Sequence, residues 1–204
     1  MIAIAHWQKT WQQLGAEGNV ELYELICARY AEPHRRYHTL QHLNECFNHF
    51  EQIREQATHP PEVELAIWFH DAIYELASKD NEQKSAEWVR TSVIAHGLPE
   101  AIGDRVYSLI MATKHDAIPT SRDAEVLVDV DLGILAAEPE RFDEYEQQVR
   151  AEYKWVPELI YRRERGKILK GLMGRSQIYS TPLFQDRYEA KARQNLIRSL
   201  TKLT

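Results

Sequence analysis

The sequence predicts a single all-α domain. Three observations lead to this prediction: apolar residues recur at spacings of three and four along most of the chain, only 8 of the 204 residues are glycine, and only 8 are proline. A chain of this length can bury a core of its own, and neither a linker nor an internal repeat divides it. We therefore expect one helical bundle over residues 1–204, with helical elaborations at both ends.

Helix ends are marked by proline and by polar caps. Pro33 ends the first predicted helix and Pro60 the second, while Pro61 suits the first position of the third. Asp80 is the predicted N-cap of the fourth helix, with Gln83 three residues later as in a capping box. With their apolar stripes, these signals place helices near residues 23–30, 40–50, 62–74, 80–97, 102–113, 126–135, 139–153, 158–172 and 186–200.

Two of these segments differ from ordinary surface helices. The third, over residues 62–74, is apolar on every side, so it is expected in the centre of the fold. In residues 126–135, apolar and polar residues alternate in a way that also suits a strand. Because no partner strand is found elsewhere in the sequence, we predict a helix there.

Composition excludes several classes of protein. No run approaches 18 apolar residues, so no membrane span is expected, and the N-terminus lacks the features of a signal peptide. The net charge of −6, without a basic stripe, argues against binding to long nucleic acids. The two cysteines are too few for a disulfide framework or a thiolate metal site. We expect a soluble cytoplasmic protein.

A histidine and an aspartate interrupt the most apolar segment of the chain. His70 and Asp71 lie within residues 66–73, and the nearest basic residue, Lys79, is eight positions beyond Asp71. Burial of a carboxylate is costly unless it is paired, hydrogen-bonded or bound to a metal. Either a distant arginine pairs with these side chains in a polar core network, or they bind a metal ion.

Two further segments place metal-binding side chains beside the core. His38 and His42 are four residues apart at a predicted helix start, so both can face one way. Asp129 and Asp131 lie in an apolar run, and on a helix their side chains point about 200° apart, so only one can face an ion. With the His-Asp pair, these residues form a nitrogen and oxygen ligand set for a divalent metal.

The order of these residues resembles a known family. His42, then His70 and Asp71, then Asp131 is similar to the HD-domain superfamily of metal-dependent phosphohydrolases. Within this superfamily, the chain resembles a branch described as predicted metal-dependent HD phosphohydrolases. The resemblance lies in residues 37–42, 68–74 and 80–86 and in short sequence matches in the C-terminal part, and it spans roughly residues 7–200. Glu164 departs from the branch, which more often has glycine there.

The resemblance implies an HD-domain-like helical bundle that binds one divalent ion: Mn, Mg, Co, Ni, Zn or Fe. The ligands it implies are His42, His70, Asp71 and Asp131. The implied reaction is hydrolysis of a small phosphate ester, often a nucleotide, by a metal-activated water. Asp71 would also accept a proton.

Other polar residues are candidates for catalysis or substrate binding. Glu82, at the start of the fourth helix, suits a general base, although a first-turn glutamate also favours the helix dipole. Basic groups suit phosphate oxygens, although each could equally form a structural ion pair or cap a helix. The substrate-binding candidates are His38, Arg36, Lys114, His115 and Arg165.

Two other functions fit the same residues. Some HD proteins bind two irons and oxidise their substrates with dioxygen, using extra histidines between the His-Asp pair and the last aspartate. His96 and His115 lie in that interval, but the chain has no adjacent histidine pair, which favours one metal. The third alternative is a non-enzymatic nucleotide-binding or regulatory module, against which the complete ligand set argues.

Overall fold

A computed structural model describes residues 3–203, in which the regular structure is helical and no strand occurs. The all-α prediction is therefore confirmed. The α-helices of this range are α1 (Ile4–Leu14), α2 (Val20–Tyr30), α3 (Leu40–Ile53), α4 (Pro60–Phe69), α5 (Asn81–Ala95), α6 (Glu100–Ala112), α7 (Arg122–Asp131), α8 (Pro139–Glu152), α9 (Glu158–Met173) and α10 (Pro182–Leu203). Each of them is too short or too polar to span a lipid bilayer.

The helices belong to two compact units. The first ends at Asp131 and contains α1 to α7, while the second begins at Leu132 and contains α8 to α10. All four implied metal ligands lie in the first unit. The expectation of one domain over residues 1–204 stays a prediction.

Helix α4 lies at the centre of the first unit, as its sequence predicts. Its residues from Val63 to Phe69 are all buried, and it contacts α1, α3, α5, α6 and α7. Trp68 meets the ring of Trp7 from α1 edge-to-face, with ring centroids 5.3 Å apart. Because the surroundings of α4 are apolar, a polar group at its end is costly unless a neighbouring group forms a hydrogen bond or an ion pair with it.

Helix α4 ends at Phe69, five residues before the predicted end at Tyr74. The amide of His70 still donates to the carbonyl of Ala66 at 2.9 Å. A longer helix would pair the carbonyls of Ile67 and Trp68 with the amides of Asp71 and Ala72. Instead, the carbonyl of Ile67 lies 2.8 Å from Nδ1 of His70, and that of Trp68 accepts from the hydroxyl of Tyr30 at 3.3 Å. The amide of Asp71 donates to the same hydroxyl, so the helix does not continue and His70 and Asp71 lie in a turn. The carbonyls of Asp71 and Ala72 accept from the guanidinium of Arg35, at 2.6 and 3.0 Å.

Two other sequence predictions have different outcomes. Helix α5 begins at Asn81 as predicted, but the Asp80 carboxylate does not cap it. That carboxylate accepts a hydrogen bond from Ser78 and pairs with Lys84 at 3.5 Å, so the capping-box prediction is wrong. The ambiguous segment, residues 126–135, is helical, in α7 and in a 3₁₀ segment over Leu132–Ala136, so the helix prediction there is confirmed.

In the second unit, α10 packs against the 3₁₀ segment with which the unit begins. The side-chain amide nitrogen (Nδ2) of Asn195 donates to the carbonyls of Leu135 and Ala137, both at 2.9 Å. The hydroxyl of Tyr179 donates to the carbonyl of Leu132 at 3.1 Å. Phe184 is fully buried in the same unit. These bonds satisfy carbonyls that the short 3₁₀ segment leaves unpaired.

Glu64 places a buried carboxylate in α4. It accepts hydrogen bonds from the ring of His6 and from the guanidinium of Arg54, the latter at 2.8 Å. Burial opposes ionisation, but the bonds to His6 and Arg54 outweigh it and lower the pKa of Glu64 below its usual 4.5. Such a group contributes stability at neutral pH, and the contribution is lost as the pH falls through the folded-state pKa.

We expect Glu64→Gln to lower the free energy of unfolding at pH 7 by about 1–3 kcal/mol, because His6 and Arg54 lose their charged partner. Below the folded-state pKa of Glu64 the wild-type carboxyl is neutral, so the difference between the two proteins should shrink. Urea unfolding at neutral and acidic pH measures this. Glu51→Gln, at an exposed carboxylate that also pairs with Arg54, serves as the control. An equal loss for Glu64→Gln at both pH values would contradict the assignment.

Candidate metal centre

Four side chains of the first unit converge in one place. His42 comes from the first turn of α3, His70 and Asp71 from the turn after α4, and Asp131 from the last residue of α7. We call these four side chains the His-Asp cluster. The two imidazoles are 2% exposed, whereas Asp71 is 17% and Asp131 15% exposed. The histidines therefore lie at the base of the cluster and the carboxylates border solvent.

Distances within the His-Asp cluster suit one metal ion. Nε2 of His42 lies 3.1 Å from Nε2 of His70, 3.5 Å from Oδ2 of Asp71 and 3.3 Å from Oδ1 of Asp131. Nε2 of His70 lies 3.2 Å from the same Asp71 oxygen and 3.6 Å from the same Asp131 oxygen. Ligands bound about 2.1 Å from one ion lie about 3.0 Å apart at right angles and about 3.4 Å apart at tetrahedral angles.

The tautomer of His70 also suits a ligand. Its Nδ1 lies 2.8 Å from the carbonyl of Ile67, which can only accept, so Nδ1 carries a proton. In the neutral ring, the lone pair of Nε2 then faces the other three members of the cluster. Metal-binding histidines commonly donate their second ring N–H to a carbonyl or carboxylate in this way.

Electrostatics in the cluster favour positive charge at its centre. Burial opposes protonation of His70, but the charge of Asp71 outweighs it and raises the pKa of His70 well above 6.5. Burial also opposes ionisation of the carboxyls. Even so, the charge of His70 holds the pKa of Asp71, and the hydrogen bond from His115 holds that of Asp131, well below 3.8. The carboxylates are therefore ionised and available as ligands, and a divalent cation that bound here would displace the proton from Nε2 of His70.

Comparison of the chain with protein-family models, curated proteins and solved structures gave no match. The assignment of a metal centre therefore rests on the geometry and charge of the His-Asp cluster. The order of its residues along the sequence is a separate observation.

Helix α7 turns only one of its two aspartates toward the cluster. Asp131 lies among the ligand atoms of His42 and His70, whereas Asp129, two residues earlier, belongs to neither group of metal-binding side chains within residues 3–203. Asp129 is fully buried. This separation follows from the helical rotation of about 200° over two residues.

Cys46 is a buried neighbour of the cluster that the sequence analysis did not connect with it. It follows His42 by one turn of α3, and its Sγ lies within 4.8 Å of ligand atoms of His42, His70 and Asp131. Sγ is 3.7 Å from both Nδ1 and Nε2 of His42. Because Sγ is farther from Nε2 of His42 than the ligand atoms of His70, Asp71 and Asp131 are, we keep the nitrogen and oxygen ligand set.

His115 contacts the cluster from the segment after α6. Its Nε2 lies 2.9 Å from Oδ2 of Asp131, the oxygen on the other side of the carboxylate from His42. The backbone of His115 has φ 55°, a left-handed conformation that is uncommon for residues other than glycine. Lys114 beside it is half-buried and forms no ion pair within residues 3–203. His115 therefore lies on the Asp131 side of the cluster, and Lys114 directly precedes it in the chain.

His38 and Glu82 lie near the segments that form the cluster. The ring of His38 stacks on Tyr74, with centroids 4.0 Å apart, and meets the ring of His42 edge-on at 5.9 Å. Glu82 lies one turn before Ser85 in α5, and the hydroxyl of Ser85 accepts a hydrogen bond from the amide of Ile73 at 3.0 Å. Residues three apart share a helix face, so Glu82 is half-buried on the side of α5 that meets the turn after α4.

The arginine candidates have different surroundings. Arg36 is exposed. Arg165 is buried in the second unit, where its guanidinium pairs with Glu146 and donates to the hydroxyl of Tyr145 at 2.7 Å. These partners favour a structural role for Arg165 within its own unit. Its assignment to a substrate phosphate stays a prediction.

A second group of metal-binding side chains, His6, Glu51 and Glu64, lies around Arg54. The Arg54 guanidinium is 2.8 Å from Glu64 and 3.3 Å from Glu51, so a protein cation already neutralises these carboxylates. This group is the ion-pair network of α4 described above. Within residues 3–203, by contrast, no arginine or lysine forms an ion pair with the His-Asp cluster.

Proposed function

We propose that this protein is a metal-dependent phosphohydrolase of the HD-domain superfamily that acts on a small phosphate ester such as a nucleotide. The observation that supports this proposal is the convergence of His42, His70, Asp71 and Asp131 at ligand spacing. Their order along the chain suggests the family, and their proximity in space supports the same residues by an independent argument.

We assign different roles to the histidines and the carboxylates of the cluster. His42 and His70 would hold the ion from the buried side, and two imidazoles favour a transition metal over Mg²⁺. When bound, a divalent ion supplies Lewis acidity and lowers the pKa of its water. Asp71 and Asp131 border solvent, so substrate and water enter beside their carboxylates. Asp71 is also placed to accept a proton there.

Groups around the cluster suit a phosphorylated substrate. Lys114 has an ammonium with no ion pair within residues 3–203, and it adjoins His115 beside Asp131. We assign this pair to the phosphate oxygens. The carboxylate of Glu82 likewise makes no hydrogen bond or ion pair within the described residues, and we assign it to orienting water.

Metal analysis and a phosphate-release screen test this function. We expect about one divalent ion per chain and release of phosphate from small esters, because the cluster provides one set of ligands. We expect no cleavage of long DNA or RNA, since the net charge is −6. Fully metallated protein that fails on a broad panel of esters would contradict the proposal. Submicromolar, salt-sensitive binding to duplex nucleic acid would also contradict it.

A two-iron oxygenase is the second candidate, and the contact between His115 and Asp131 favours it. The other histidine in that interval, His96, packs against Trp11 with ring centroids 4.5 Å apart and the rings tilted by 36°, and its Nδ1 lies 2.7 Å from the carbonyl of Ser92. His96 thus has partners that suit a structural role. Two irons per chain and substrate-dependent consumption of dioxygen would favour the oxygenase over the hydrolase.

A further inference from the structure

The backbone of Asp71 is held on both sides by side chains from one part of the fold. The amide of Asp71 donates to the hydroxyl of Tyr30, the last residue of α2, at 3.3 Å. The carbonyl of Asp71 accepts from Nη1 of Arg35 at 2.6 Å. The hydroxyl of Tyr30 in turn donates to the carbonyl of Trp68 at 3.3 Å. Both polar backbone groups of one candidate ligand therefore depend on Tyr30 and Arg35.

Arg35 connects the two segments that carry the buried ligands. Besides the Asp71 carbonyl, its guanidinium donates to the carbonyl of Ala72 at 3.0 Å and to that of His38 at 3.3 Å. His38 lies just before α3, which carries His42, while Ala72 belongs to the turn that carries His70 and Asp71. The rigid fork of a guanidinium can serve several carbonyls at once, whereas an ammonium cannot match that geometry.

The surroundings of Arg35 keep its position fixed. Its side chain is 0% exposed, and its Nε donates to the Glu32 carboxylate at 3.0 Å. The guanidinium carbon lies 5.3 Å from the ring centroid of Tyr30 and 5.5 Å from that of Tyr74, within the range of cation–π attraction. A buried cation with this set of partners has little freedom to move.

We propose that Arg35 and Tyr30 are positioning residues of the metal centre. They fix the backbone of Asp71 and thereby the direction from which its carboxylate meets Nε2 of His42 and of His70. This inference rests on the proposed metal site. Partners that orient metal ligands are worth about 10–100-fold in metal affinity, which sets the size of the expected effect.

A structural role alone would give a different result. If Arg35 and Tyr30 only stabilised the fold, their loss would lower the melting temperature and leave the environment of a bound ion unchanged. The visible spectrum of bound Co²⁺ reports the geometry of its ligands, so it separates the two roles. Cobalt alone, without substrate, is therefore the probe.

The experiment compares Arg35→Lys and Tyr30→Phe with matched controls in the full-length protein. Arg29→Lys is the first control, because Arg29 also pairs with Glu32, at 3.1 Å, but makes no bond to the turn of Asp71. Tyr23→Phe is the second, because Tyr23 lies on the same helix as Tyr30. We expect Arg35→Lys to weaken Co²⁺ binding by about 10–100-fold and to alter the cobalt spectrum. Tyr30→Phe should act in the same direction, and both controls should match wild type.

The outcomes separate this inference from the proposed function. Suppose that the wild type binds Co²⁺ and that the folded Arg35→Lys and Tyr30→Phe variants have the same cobalt affinity and spectrum as the wild type. This result would overturn the positioning role and leave the proposed metal site intact. Wild type that binds no cobalt would overturn both the metal site and this inference. Should Arg35→Lys fail to fold, Tyr30→Phe decides, since it removes one hydroxyl and keeps the ring: an altered spectrum supports the inference and an unchanged one overturns it.

Discussion

Replacement of Asp71 by alanine is expected to remove the bound metal from the purified protein. Its Oδ2 lies 3.5 and 3.2 Å from Nε2 of His42 and His70, so in the proposed site it would bind the same ion as both imidazoles. Loss of a direct ligand should weaken binding by more than about 100-fold, the upper value for loss of an orienting partner. We expect the same of His42→Ala. Elemental analysis after purification, followed by titration with Co²⁺ or Mn²⁺, measures both.

His49→Ala is the matched control for this experiment. His49 lies on α3 seven residues after His42, about 10 Å away by helical rise, which is too far to share one ion. It should keep the metal content of wild type. Equal metal content in wild type and Asp71→Ala would show that the cluster is not the metal site.

Asp131→Asn should abolish activity and severely weaken metal binding, whereas Asp129→Asn should keep the metal. Oδ1 of Asp131 lies 3.3 and 3.6 Å from Nε2 of His42 and His70. Asp129 is fully buried outside the cluster, so its substitution should cost about 1–3 kcal/mol of stability instead. Metal content, phosphate release and urea unfolding of the two variants measure these effects.

Two results would argue against this assignment of the aspartates. If Asp129→Asn lost the metal and Asp131→Asn retained it, the ligand assignment would be reversed. If both variants lost it, the helical separation of the two side chains in α7 would not hold in solution. In either case the stability of each variant shows whether the loss of metal follows from unfolding.

Apolar periodicity predicts most of the helices, because burial of a helix face depends on a residue spacing that is local in sequence. That is why α4 could be predicted as the central helix and α7 as a helix. The end of α4 could not, because the carbonyl of Trp68 and the amide of Asp71 bond the hydroxyl of Tyr30, which is 38 residues before Trp68. Likewise, the carboxylate of Asp80 has Ser78 as a competing donor, so a good capping sequence gives no cap.

Some residues of the candidate site could likewise be predicted from the sequence, and others could not. Order along the chain suggested His42, His70, Asp71 and Asp131, and the structure brings their side chains together. Cys46 had a usable signal, since it follows His42 by one helical turn. Arg35 had none, because it binds backbone carbonyls, and such partners leave no side-chain pattern in the sequence. Contacts of this kind become visible only in three dimensions.

The position of Asp131 at the end of the first unit determines when, during synthesis, the proposed metal centre would be complete. The ribosome releases Asp131 60 residues after Asp71. At about 5–20 residues per second, the nascent chain would carry an incomplete ligand set for about 3–12 s. Stable capture of an ion must await the emergence of α7 and its docking. Metal insertion is therefore expected only after α7 has emerged, with the ion entering past the solvent-facing carboxylates.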